Sequence, residues 1–162
     1  MRLPKAIVAG IFAVAVLDIL EPIVYVWLSR GTPPIRVFQS VAAGVLGPAS
    51  YQGGFGSAVL GAALHLFIAS VVVTIYWLAS RRLRTLVERP LLWGIVYGLA
   101  VYAVMNFIVI PLSAIDGGLR IPALPALLNG IFAHVVCVGP PAAFAARAAA
   151  AETPTRGTPS VA

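Results

Sequence analysis

The sequence predicts an all-α integral membrane protein: a four-helix bundle built as a 2+2 parallel internal repeat, with a short outer amphipathic helix between spans one and two. Three observations carry this. Of 162 residues, 60% are hydrophobic and only 10% are charged, a balance foreign to soluble globular domains. The apolar residues gather into four runs, at about residues 6–28, 58–79, 91–112 and 123–146. A helix rises ~1.5 Å per residue, so each run is long enough to cross a hydrocarbon core of ~30 Å. Finally, the basic residues collect at alternate ends of the runs, as they do when cytoplasmic loops retain Lys and Arg.

The basic split sets the expected topology. Arg2, Lys5, Arg81, Arg82, Arg84, Arg89, Arg147 and Arg156 lie at the N-terminus, in the 80–90 connection and in the tail, and only Arg30, Arg36 and Arg120 lie in the other two connections. Both termini are therefore expected in the cytoplasm. The formal charge of +6 does not point to nucleic acid, because these cations stand at the feet of apolar runs and form no basic surface. Cys137 is the single cysteine, so no disulfide can close within the chain.

The first run competes with a signal peptide, since Ala13-Val14-Ala15 has the form of a cleavage site. That site would leave a very short apolar region, whereas the apolar character continues to residue 28, so an uncleaved span is expected. The run holds Asp18 and Glu21 three apart on one helical face, followed by Pro22, whose ring clashes with the Asp18 carbonyl. In the 29–56 connection Thr32 can cap a helix that Pro33 opens. Ile35, Phe38, Val41, Ala42 and Val45 recur at helical spacing over about 33–46, until Gly47-Pro48 stops it. This reads as an amphipathic helix at the outer surface, and Gly53-Gly54 reads as a flexible joint.

The second span carries His65 four residues after Gly61, and runs into the basic foot. The third opens at Pro90 and holds Gly94 and Gly98 at the spacing that lets helices approach closely, with Asn106 two turns on and Pro111 at its close. A turn with Asp116-Gly117-Gly118 leads to the fourth span, which carries His134 four residues after Gly130 and is expected to bend at Pro140-Pro141. Residues 1–147 then form one transmembrane domain, and 148–162, rich in Ala, Thr and Pro, a disordered cytoplasmic tail.

The repeat rests on two spacings. Gly10 precedes Asp18 by eight residues as Gly98 precedes Asn106, and Gly61 precedes His65 by four as Gly130 precedes His134. Two helices per unit make the copies parallel. Counted from the outer span ends, Asp18, Glu21, His65, Asn106 and His134 share one depth, so a buried polar layer is expected inside the bundle. Three chemistries fit it: a structural network that fixes helix pairing; a proton or ion relay in which a histidine titrates against Asp18 or Glu21; and a haem or transition metal held by His65 and His134, with Gly61 and Gly130 leaving room for a porphyrin edge. No nucleophile motif surrounds Ser70 or Thr74, so an enzyme is not expected.

The segments Gly31-Thr32-Pro33-Pro34-Ile35-Arg36, Gln39-Ser40-Val41-Ala42, Gly44-Val45-Leu46-Gly47 and Leu60-Gly61 with His65, then Tyr97-Gly98, Met105-Asn106 and Gly139-Pro140 with His134, resemble a family of small bacterial inner-membrane proteins of unknown function. The resemblance covers about residues 5–147. It implies four spans, a bacterial inner membrane and no assigned activity, cofactor or partner. Beyond the lipid bilayer itself, the sequence leaves a homo-oligomer or other membrane subunits open as partners.

Overall fold

In the computed structural model, residues 3–115 and 122–152 are described; the Asp116-Gly117-Gly118 turn, Arg2, Arg120 and the tail from residue 153 lie outside them. Six helices and no strand occur among the described residues: α1 (Lys5–Arg30), α2 (Pro34–Leu46), α3 (Gly54–Ser80), the single turn α4 (Thr85–Glu88), α5 (Pro90–Leu112) and α6 (Leu124–Glu152). A 3₁₀ turn, Gly47–Gln52, joins α2 to α3. The helices α1, α3, α5 and α6 are the four expected spans, each long and apolar enough to cross a membrane, and the chain is a multi-pass membrane protein. Their outward faces carry Phe12, Trp27, Phe67, Phe107, Phe132 and Phe144, all exposed on the isolated chain. Lipid can cover such a surface where water cannot, and every backbone group along it is bonded within its own helix.

One end of the bundle is closed and the other is splayed, because small residues are unevenly distributed along the spans. Toward the chain termini, α6 is a run of alanines, and Ala142, Ala143, Ala146 and Ala149 are buried with Ile7, Ile11, Val73 and Tyr76. Here α6 packs against α1, α3 and α5 alike. A Cβ on Gly10 would collide with that of Ala145, and one on Gly94 would lie 2.8 Å from the Pro140 Cα. One on Gly98 would run into the His134 carbonyl oxygen. The Gly94/Gly98 pair thus seats α6 against α5 within one chain. Such close backbone contact is the usual source of packing energy between membrane helices.

Prolines are absorbed at this junction by widening the helix. Pro111 and Pro140 each follow a π turn by two residues, Met105–Val109 in α5 and His134–Val138 in α6. A proline cannot donate to the carbonyl four residues back and crowds it, and a wider turn relieves both faults. The amide of Gly139 accordingly bonds the His134 carbonyl, five residues back. Both π turns fall on the polar residues Asn106 and His134.

Several expectations change. The amphipathic helix starts at Pro34, with Pro33 rather than Thr32 at its cap position and no side-chain cap bond. It is packed on α3 and not merely laid on a surface: a Cβ on Gly61 would strike the Phe38 carbonyl. Gly53-Gly54 is no loose joint, since the 3₁₀ turn runs straight into α3 there. Residues 148–152 are helical where the tail was expected to be disordered. Alanine is the strongest helix former, Ala149 is buried, and Glu152 Oε1 accepts the Ala6 amide 3.2 Å away at the start of α1. The two halves also differ in environment. Gly10 of α1 and Gly98 of α5, paired in the repeat, both pack on α6, and α6 is central to the bundle while α3 is flanked by α2.

Candidate functional site

The splayed half encloses a cavity of about 820 Å³, bounded by α1, α2, α3, α5 and α6. Its floor is the upper layer of the closed core, formed by Val14, Ala69, Val101 and Val138. Its far end lies among Tyr51, Pro48, Ser113 and Pro122, on the side of the 31–53 connection. Asp18, Glu21, His65, Asn106 and His134 all line this one space, and each is partly buried. The structure thus brings the five together on a wall, but among the described residues no hydrogen bond joins any two of them.

Four of the five bond elsewhere. His65 Nε2 lies 2.9 Å from the Ala15 carbonyl of α1, and His134 Nδ1 lies 2.9 Å from the Gly130 carbonyl of its own helix. A carbonyl only accepts, so those ring nitrogens carry protons, and His65 Nδ1 and His134 Nε2 have no hydrogen-bond partner among the described residues. Asn106 Nδ2 donates to the Tyr102 carbonyl at 3.0 Å, one turn back. The Asp18 carboxylate has no hydrogen-bond partner among the described residues and lies within electrostatic range of both imidazoles and of Glu21.

Sequence reasoning missed three contributors. Asn129 of α6 donates to Glu21 Oε2 at 3.3 Å, the one bond between side chains of different spans at the site. Its signal was available, since it is an uncharged polar residue beside Gly130 at the shared depth. Tyr102 packs edge-on against His134, ring centroids 5.4 Å apart at 81°, and holds that imidazole in place. Gln39 of α2, only 3% exposed, donates to the Gly54 carbonyl at 3.0 Å and locks α2 to α3. Neither an aromatic in an apolar run nor a glutamine on an amphipathic face announces such a partner in advance.

The two glycines do not leave the room expected for a porphyrin edge. The space beside Gly61 is filled by the Phe38–Ala42 backbone of α2, and the space beside Gly130 by the Tyr102 ring, 2.9 Å from where a Cβ would stand. Among the described residues no three His, Cys, Asp or Glu side chains converge as ligands for a metal ion. Comparison of the chain with family models, with characterised proteins and with solved structures found no match in any of the three.

Proposed function

We propose that this chain is a non-enzymatic membrane protein that binds a small molecule in a blind cavity, at a proton-exchanging cluster of Asp18, His65 and His134. One observation carries the reading: the five polar residues form no bond with one another, and the unpaired Asp18 carboxylate and both imidazoles line one cavity of about 820 Å³. A structural network would have used those atoms to bond helix to helix. A largely apolar cavity of that size with a few convergent polar groups is the usual form of a ligand site. Ionisable groups at this depth are costly to bury, and they are commonly kept for proton or ligand handling.

A relay right through the bilayer finds no support in the geometry. The floor residues Val14, Ala69, Val101 and Val138 are all aliphatic, and below them Tyr97 and Tyr76 commit their hydroxyls to the Val72 and Leu86 carbonyls. Protons and ligand are expected to enter from the 31–53 side. We place that side outside a bacterial inner membrane, with both termini cytoplasmic, on the eight-to-three split of basic residues.

Infrared difference spectra between acid and neutral pH, taken on the protein in lipid bilayers, test the proposal. Carboxyl and imidazole bands should change together, as in a coupled set, and Asp18→Asn should remove one carboxyl component and alter the imidazole bands. Spectra identical in wild type and Asp18→Asn would refute it.

A further inference from the structure

We infer that the occupant of the cavity is an amphiphilic protonated amine, its ammonium group held between Asp18 and Glu21 and its apolar body against the aliphatic and tyrosine walls. This rests on the cavity being a binding site, and it names the ligand's chemistry. The first support is charge. Among the described residues the cavity lining contains two carboxylates and no Lys or Arg, although the protein as a whole has a net charge of +6. Arg36 of α2 does not itself line the cavity but is committed to Gln39 and to Tyr51 at its end. Its guanidinium donates to the Tyr51 carbonyl at 2.8 Å and to Gln39 Oε1 at 3.3 Å, and lies 5.8 Å from the Tyr51 ring centroid.

The second support is that the donors nearest the carboxylates are already committed. The ring N–H of His65, that of His134 and an amide N–H of Asn106 are all committed to backbone carbonyls. The hydroxyls of Ser40 and Ser113 are committed likewise, to the Val37 and Ile110 carbonyls at 2.7 Å. On the lining, the Asp18 carboxylate and the second oxygen of Glu21 have no hydrogen-bond partner among the described residues, and the donors left uncommitted there, among them the Tyr25, Tyr51 and Tyr102 hydroxyls and the second N–H of Asn106, are uncharged. A ligand that complements this wall must bring donors and a positive charge, and an ammonium brings both. An anion would meet the like charges of two carboxylates, and a neutral alcohol would bring them no counter-charge.

The third support is the wall. Tyr25, Tyr51 and Tyr102 line the same space as Val14, Val72 and Val109, so a cation can rest against aromatic faces while its hydrocarbon part replaces lipid or water. Such a ligand partitions to the headgroup region, which is where the open end of the cavity is expected.

Three probes with one apolar body separate the contributions: 4,4-diphenylbutylamine, 4,4-diphenylbutanol and 4,4-diphenylbutanoate. Binding to the purified full chain in lipid nanodiscs is measured by saturation-transfer NMR and equilibrium dialysis, with empty nanodiscs subtracted. The amine should bind saturably, and the alcohol at least about tenfold more weakly. The carboxylate should not bind above background. Asp18→Asn, and independently Glu21→Gln should one variant misfold, should bring the amine down toward the alcohol and leave the alcohol unchanged. Ala126→Trp, which fills the cavity from α6, should abolish amine and alcohol binding together. Equal binding of alcohol and amine, tighter binding of the carboxylate, or indifference of the amine to both acid substitutions would overturn the amine assignment while leaving the cavity as a binding site. Absence of all binding, or binding untouched by Ala126→Trp, would overturn the binding reading itself.

Discussion

Replacing Gly61 by alanine should detach the wall that makes the cavity. Gly61 is buried where α3 crosses α2, and a Cβ there would strike the Phe38 carbonyl oxygen, with the carbonyl carbon 2.7 Å and the Ala42 nitrogen 3.3 Å away. All three obstacles are backbone, so no rotamer change relieves them and a helix must move. Overpacking of this kind costs about 1–3 kcal/mol, and rigid neighbours put it near the top of that range. Alanine returns roughly 1 kcal/mol of helix propensity, which leaves a net loss of about 2 kcal/mol. Gly56, on the same helix with open space around it, is the control: there Gly→Ala should gain about 0.5–1 kcal/mol. Gly130→Ala should fall between the two, because its obstacle is the edge of the Tyr102 ring, which can shift by a few tenths of an ångström. Reversible unfolding in mixed micelles, followed by circular dichroism, would rank the three. Tryptic cleavage at the exposed Arg36 should also quicken in Gly61→Ala alone as α2 lifts away. If Gly61→Ala proves as stable as Gly56→Ala, α2 is not docked on α3 and the cavity lacks that wall.

Ser50 is fully buried and its hydroxyl has no partner among the described residues, so Ser50→Ala should be neutral or stabilising by up to about 1 kcal/mol in the same unfolding assay. A clear loss of stability would mean that the hydroxyl holds a bond. For topology, Gln52→Cys and Arg82→Cys, both at exposed positions, are introduced into a Cys137→Ser background. An impermeant thiol reagent should label the first and not the second from outside intact cells, and the reverse pattern would invert the orientation.

The four spans were legible because they follow from transfer free energy alone. A run of some 20 apolar residues has one low-energy destination, and within it the backbone must be helical to satisfy its own polar groups. The shared depth of Asp18, Glu21, His65, Asn106 and His134 was legible for the same reason, since depth is residue count multiplied by rise. Facing direction and bonding partner were not, because each depends on which helices touch. The spacing of Gly61 from His65 matches that of Gly130 from His134, yet one glycine admits the backbone of α2 and the other a tyrosine ring. Local sequence sets what a position can accept, and the packing decides what arrives. Likewise a self-satisfied network was one of three chemistries the polar residues allowed, and only the tertiary structure shows the donors of His65, Asn106 and His134 turned to backbone carbonyls instead of to one another. The alanines and glycines near the termini draw the helices together at one end, and the bulkier, π-widened half is left apart, with the polar layer at the boundary.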